Sequence, residues 1–374
     1  MVLRDQGAKM YRTEKMSNLT KGKKGVEDGG AMKFIIGFIL LLIAIFMAIS
    51  FGRYYVPPGK VFSVILSSLG IVGKLLSKFF SIFGIRNSSY TPVDYNVIIN
   101  IRIPRVIGAV LVGISLAISG TAYQGIFRNV LVSPDLLGVS NGACVGAALG
   151  ILLGFHNVGV QVLAFAFGII AVILTLLIPK IIRKDNTIIL VLSGIVISGF
   201  MASVIGLLKY VADPETQLAD IVYWQLGSIA KVDYSKVLSI FPSILVCSVV
   251  LVLMSWRINL ISLGDNEAKT MGVNLKMERN VIIVCSTLLT ASSVCICGTI
   301  GWIGLIIPHL SRLLVGNSNT RSLPFSGVIS AIFLLIVDTL ARTVSSGEIP
   351  LSILTGFIGT PFFIWLLVRR EMII

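Results

Sequence analysis

The sequence predicts an all-α polytopic membrane protein with about ten transmembrane helices. Three observations predict it. Only 13% of the 374 residues are charged, against about 25% in a typical soluble domain. The chain is 55% hydrophobic, with a mean hydropathy of +0.94. It also carries about ten apolar stretches close to the roughly 20 residues that a spanning helix needs.

The elements follow in order. Residues 1–31 are polar and Gly/Lys-rich, with seven Lys or Arg and four Asp or Glu, and read as a disordered basic tail. The apolar run behind them is too long for a signal peptide and has no small-residue cleavage site. The first span is Met32–Ser50, which begins the membrane domain at 32–370. Val61–Ile85 is apolar but broken by Lys74 and Lys78, and reads as an interfacial helix. The second span is Asn100–Ser119, with Arg102, Pro104 and Arg105 at its entrance. The third, Val139–Leu153, is rich in Gly and Ala, which lets helices pack closely in lipid. The fourth and fifth are Val160–Ile178 and Ile188–Leu208. A short helix near Ile221–Ile229 precedes the sixth, Val237–Trp256. The seventh is Asn280–Cys297, and an eighth, interrupted by Gly and Pro, lies within 298–316. The ninth and tenth are Phe325–Val344 and Leu351–Val368.

Ten spans put both termini on one side. About two thirds of the 31 Lys and Arg then fall on that side, as expected for a cytoplasmic face of the cell membrane. Arg102, Arg105 and Arg342 fall on the other side and oppose the rule. The net charge of +14 has no aromatic-interleaved basic patch behind it. It reads as basic loops beside anionic lipid and not as nucleic-acid binding.

No catalytic constellation is present. The two histidines, His156 and His309, stand apart in sequence. There is no HExxH, no GxSxG and no GxxxxGK[ST], so the chain does not bind ATP through a P-loop of its own. No cofactor motif appears. The pair Cys295 and Cys297 has no second ligand cluster within reach, and Cys is a common buried small residue, so no metal site is assigned. Asp338 lies four residues before Arg342. The two can share a helix face, and this structural pairing is preferred over a proton relay.

The stretch Leu263–Val273 is the longest polar interruption of the second half. Asp265, Glu267 and Ala268 open a helical turn behind Gly264, where the two acids also suit a helix N-terminus. Gly272 can end the turn in the left-handed conformation. The residues alone fit either a docking surface for a soluble partner or an ordinary solvated loop.

Four blocks resemble the FecCD family of permease subunits, which belong to ABC importers of ferric siderophores, haem and cobalamin. The first is Arg102 to Arg105 with Gly120, Gln124, Arg128, Asn129, Pro134 and 137–140. The second is 263–273. The third is Gly298 to Arg312, including Gly301, Gly304, Pro308 and His309. The fourth is Asp338 to Arg342 with Glu348, Pro350, Gly359 and Pro361–Phe363. They run in order at the family's spacing, over about 32–370. Val130 to Val132, Thr299 and 317–320 depart from its usual residues.

The resemblance implies a type II ABC importer permease fold and a transport subunit with no enzymatic activity of its own. It implies a pair of cytoplasmic ATPase subunits, a second permease copy or paralogue, and an extracytoplasmic substrate-binding protein. Leu263, Gly264, Asp265, Glu267, Ala268, Met271 and Gly272 would form the loop seated in the ATPase. Arg102, Arg105 and Arg342 would meet carboxylates on the binding protein, as arginine forks do. The tail-end pattern favours an iron chelate as cargo, with haem and cobalamin as alternatives. Gln124 and Asn129 are candidates for the pathway lining.

Overall fold

The computed structural model describes residues 30–68, 70, 88–183, 187–345 and 347–371. Fourteen helices run through them. They are α1 Gly30–Ser50, α2 Pro58–Ser68, α3 Pro92–Phe127, α4 Val139–Leu152, α5 Asn157–Ile182, α6 Thr187–Val211 and α7 Gln217–Leu226. Then follow α8 Tyr234–Leu253, α9 Ser255–Leu263, α10 Asp265–Thr270, α11 Leu275–Cys297, α12 Ile303–Val315, α13 Asn319–Val344 and α14 Leu351–Glu371. Among the described residues, seven helices are long and apolar enough to cross a membrane, and α4, α12 and the apolar part of α14 are shorter apolar helices. The total agrees with the ten spans expected. The expected tail at 1–31, apart from residues 30 and 31, and most of the interfacial helix expected at 61–85 lie outside the described residues.

Several spans run longer than their apolar cores, and two of the shifts have a clear local reason. The second span does not start at Asn100. It extends back to Pro92, passing through a π-helical segment at Val97–Arg102. Pro104 has no N–H, and its ring would press on the carbonyl four residues earlier. The wider π turn, in which the Ile103 N–H donates to Ile98, makes room for it. The sixth span ends at Leu253, and Trp256 belongs to α9.

α3 and α11 form the centre. The most apolar window of α11 is 78% buried, against 22% for α1 and for α6 at the periphery. A seam of hydroxyls joins the central helices. Ser115 pairs with Ser293, Thr290 donates to Ser119 at 3.3 Å, Tyr123 pairs with Thr287 at 3.2 Å, and Thr121 donates to Ser326 of α13 at 3.0 Å. Such bonds hold helices together where water is absent. Close backbone approach does the rest. A Cβ at Gly120 would sit 2.1 Å from the Gly304 carbonyl oxygen, and one at Gly146 would sit 2.2 Å from that of Leu163. The Gly/Ala-rich third span therefore packs as its composition predicts.

Hydrogen bonds tie the chain together at two ends. At the loop end, Lys33 donates to Leu314 and Asn319 donates to Asn259. At the opposite, arginine end, Arg53 donates to Ser345, Ser228 to Cys297 and Leu351 to Gly227.

Candidate functional site

At the loop end the polar stretch forms two helices, α9 and α10, bent apart at Gly264. This glycine has φ 145° and ψ 157°, a region that only Gly occupies readily. The Glu267 carboxylate folds back over it, so a Cβ at 264 would lie 1.9 Å from Oε2. α10 ends as the sequence predicts. The Val273 N–H donates to Ala268 and the Gly272 N–H to Lys269, with Gly272 at φ 77°, which closes a Schellman motif.

Ala268 is fully buried and anchors α10 inward, whereas Leu263 and Met271 are largely exposed. Asp265 does not cap its own helix. Its carboxylate accepts two bonds from Arg279 of α11, at 2.7 and 3.1 Å, and pairs with Arg128 at 3.2 Å. Arg128 is the left-handed C-cap of α3. A single carboxylate thus latches the loop to both central helices. Sequence spacing offered no sign of this, because the partners come from separate spans.

α9 is pressed onto α3 at Gly125, where a Cβ would meet Ile258 at 2.4 Å. The neighbouring Gln124 is buried, and its amide donates to Val132 at 3.1 Å and to Leu305 at 3.2 Å, while Arg312 donates to its oxygen. Gln124 therefore serves as a brace between α3 and α12. Asn129 accepts from the Leu131 N–H at 2.9 Å in a local turn.

The arginine end gathers all three of the rule-breaking arginines. Each is at most 6% exposed. Arg105 donates to both oxygens of Asp338 at 2.9–3.0 Å and to both oxygens of Glu348 at 3.0 and 3.1 Å. Arg102 donates to the carbonyls of Ile49, Ser50 and Tyr54. Arg342 donates to that of Ala48. The last carbonyls of α1, which have no partner within their own helix, are thus satisfied by two cations, which also suit the negative end of the helix dipole. The expected i,i+4 pair of Asp338 and Arg342 is the looser one, at 3.8 Å; Arg105, from another helix, is the closer partner. Tyr54 donates to Asp94 at 2.8 Å, and that acceptor raises the phenol above its ordinary pKa.

Beside this cluster lies a cavity of about 670 Å³, lined among others by Phe155, Asp220, Trp224, Lys231, Gly298 and Glu348. Unwound backbone shapes it. A Cβ at Gly227 would lie 2.3 Å from the Thr299 carbonyl, and one at Gly298 would lie 2.1 Å from that of Trp224. Cys295 and Cys297 also reach it, and the Cys297 thiol donates to the Ser293 carbonyl at 2.9 Å.

Comparison with known proteins follows the same geography. The molybdate import system permease protein MolB of Haemophilus influenzae is 42% identical over 272 residues, 73% of this chain and 81% of that protein. A Helicobacter pylori protein assigned as an iron chelatin transport system permease is 41% identical over 275 residues, 74% and 83% of the two chains. A solved ABC transporter, assigned to the metal-chelate type and in an inward-facing conformation, superposes with a TM-score of 0.77 at 36% identity. It covers 91% of this chain and 99% of its own. The model of the FecCD transport family matches residues 40–369, a span that holds both the latched loop and the buried arginine cluster. The chain is a FecCD-family membrane permease of the ABC importer class.

Proposed function

We propose that the chain carries a ferric siderophore across the cell membrane, driven by ATP hydrolysis on separate subunits that seat on Leu263–Val273. The observation that carries this reading is the loop itself. It presents Leu263, Glu267 and Met271 outward while Asp265 fastens it to α3 and α11. A push on the α9–α10 pair would reach both central helices without passing through a flexible linker. Both termini and this loop face the cytoplasm, in keeping with the basic residues at the loop end. A second permease subunit completes the pathway. An extracytoplasmic binding protein docks on the rim that Arg102, Arg105 and Arg342 organise, with these guanidiniums holding the shape of the surface from within.

The iron-chelate cargo draws support from the Helicobacter relative. The Haemophilus relative favours a second reading, in which the cargo is molybdate. Haem and cobalamin are further arms of the same test. The chain should be purified in mild detergent from its native membrane, and its companions identified by mass spectrometry. A P-loop ATPase at about one per permease is expected. Uptake is then measured with ferric siderophores, molybdate, haem and cobalamin in turn. Saturable ATP-dependent uptake of molybdate alone would move the cargo to the second reading. Absence of any ATPase in several detergents would overturn the docking reading of the loop.

The rival class is an ion-coupled transporter that uses Asp338 as a proton carrier. With Arg105 bonded to both of its oxygens, Asp338 is held in a structural pair. The residual uptake of Asp338→Asn is therefore expected to keep the wild-type pH profile. Loss of a pH optimum in that variant would favour the ion-coupled class.

A further inference from the structure

A second cavity, of about 700 Å³, opens at the loop end between α5, α6, α10 and α11. Its walls have two characters. Phe127, Leu176, Ile283 and Val284 give it an apolar floor, and Lys180, Lys269, Lys276 and Arg279 stand around it. The only carboxylate lining it, among the described residues, is Asp265, already held by Arg279 and Arg128. The three lysines have no carboxylate partner among the described residues. Four cations against one acid leave a strong positive excess around an apolar slot.

The groove is continuous with an exposed apolar face of the spanning helices. Val284 on its wall is 52% exposed on a spanning helix, and Leu176 and Leu190 belong to spans on its other side. Basic pockets between spanning helices at the cytoplasmic level suit anionic headgroups. A soluble anion would match the lysines but leave the apolar slot unused. An apolar segment of protein would match the slot but bury unpaired ammonium groups, which is costly.

We propose that this groove holds one anionic diacyl phospholipid, its phosphate among Lys180, Lys269 and Lys276 and its first acyl carbons against Phe127, Leu176 and Ile283. The bound lipid bridges the end of α5 to the α10–α11 connection, so it braces the same loop from the membrane side. The inference rests on the loop end facing the cytoplasm, but its test needs neither substrate nor ATP.

The test uses the full-length chain, purified with whatever subunits accompany it, then delipidated. Dioleoyl phosphatidylglycerol and dioleoyl phosphatidylcholine are titrated separately, and the bound lipid is counted by native mass spectrometry. One phosphatidylglycerol is expected to bind at concentrations where phosphatidylcholine does not. In Lys180→Gln/Lys276→Gln, whose exposed side chains leave packing untouched, its affinity should fall about thirtyfold at low ionic strength, the effect of two charges near a membrane surface. Equal binding of the two lipids, or unchanged affinity in the double variant, overturns the proposal. Competition by inorganic phosphate or glycerol 3-phosphate at the same concentration as the lipid would show an anion site without an acyl slot, and also overturns it. A negative result leaves the importer reading standing, because that reading is judged by ATPase association and uptake.

Discussion

Gly264→Val is expected to abolish uptake, by tenfold or more, while ATP hydrolysis by the associated subunits continues. The backbone at 264 lies in a region where a non-glycine residue costs about 1–3 kcal/mol, and a β-branched side chain with positive φ is a severe outlier. The chain can escape the strain by rotating α10 against α9. That rotation moves Met271 and Glu267 relative to Leu263, and the surface offered to the ATPase is lost while the membrane core stays intact. The added side chain also meets the Glu267 carboxylate, but that group ends a flexible exposed chain and can swing away. Gly264→Ala with Glu267→Ala separates the two causes. If backbone strain dominates, removing the carboxylate does not restore uptake. Fully coupled transport in Gly264→Val would refute the coupling role of the loop.

The second large effect is on folding. Arg105→Met strands Asp338, which is 1% exposed, and takes from Glu348 its two bonds to Arg105. Removing one partner of a buried pair costs about 3–5 kcal/mol when the other charge is left uncompensated; here, among the described residues, Asp338 keeps only the looser contact with Arg342, at 3.8 Å and with no hydrogen bond to it. Thermal unfolding in detergent should show a large fall in midpoint, with poor membrane yield. The combined Arg105→Met/Asp338→Leu variant is expected to recover much of the loss, since apolar replacements of a buried pair are often close to neutral. The recovered variant then gives a clean docking test: reduced affinity for the binding protein in a well-folded permease assigns Arg105 a direct part in docking, and unchanged affinity confines it to the frame. An unaltered midpoint in Arg105→Met alone would contradict the buried-pair account.

Much of the fold was legible in the sequence, and the reason is local. A spanning helix must be apolar for about the thickness of the bilayer, and that condition is written along consecutive residues. The third span, the break at Gly264 and the cap at Gly272 could be read this way. The failures were local too: the sequence reads the second span from Asn100, with Pro104 at its entrance, because the polar residues before Asn100 hide the helix that runs back to Pro92, and the adjacent sequence does not announce a π segment.

What the sequence by itself determined is therefore the number of spans, their order, the position of the polar loop and the three arginines that break the charge rule. Only the tertiary structure decided where those arginines go. Arg105 meets Asp338 across 233 residues, Arg102 and Arg342 cap a helix that lies far from both in sequence, and Asp265 chooses Arg279 and Arg128 over its own helix end. Burial in an apolar interior makes an unpartnered charge or hydroxyl costly, but which partner is within reach depends on how closely the helices approach. That approach is set by glycine contacts such as Gly120 on Gly304, between helices whose neighbourhood no single stretch of the chain encodes.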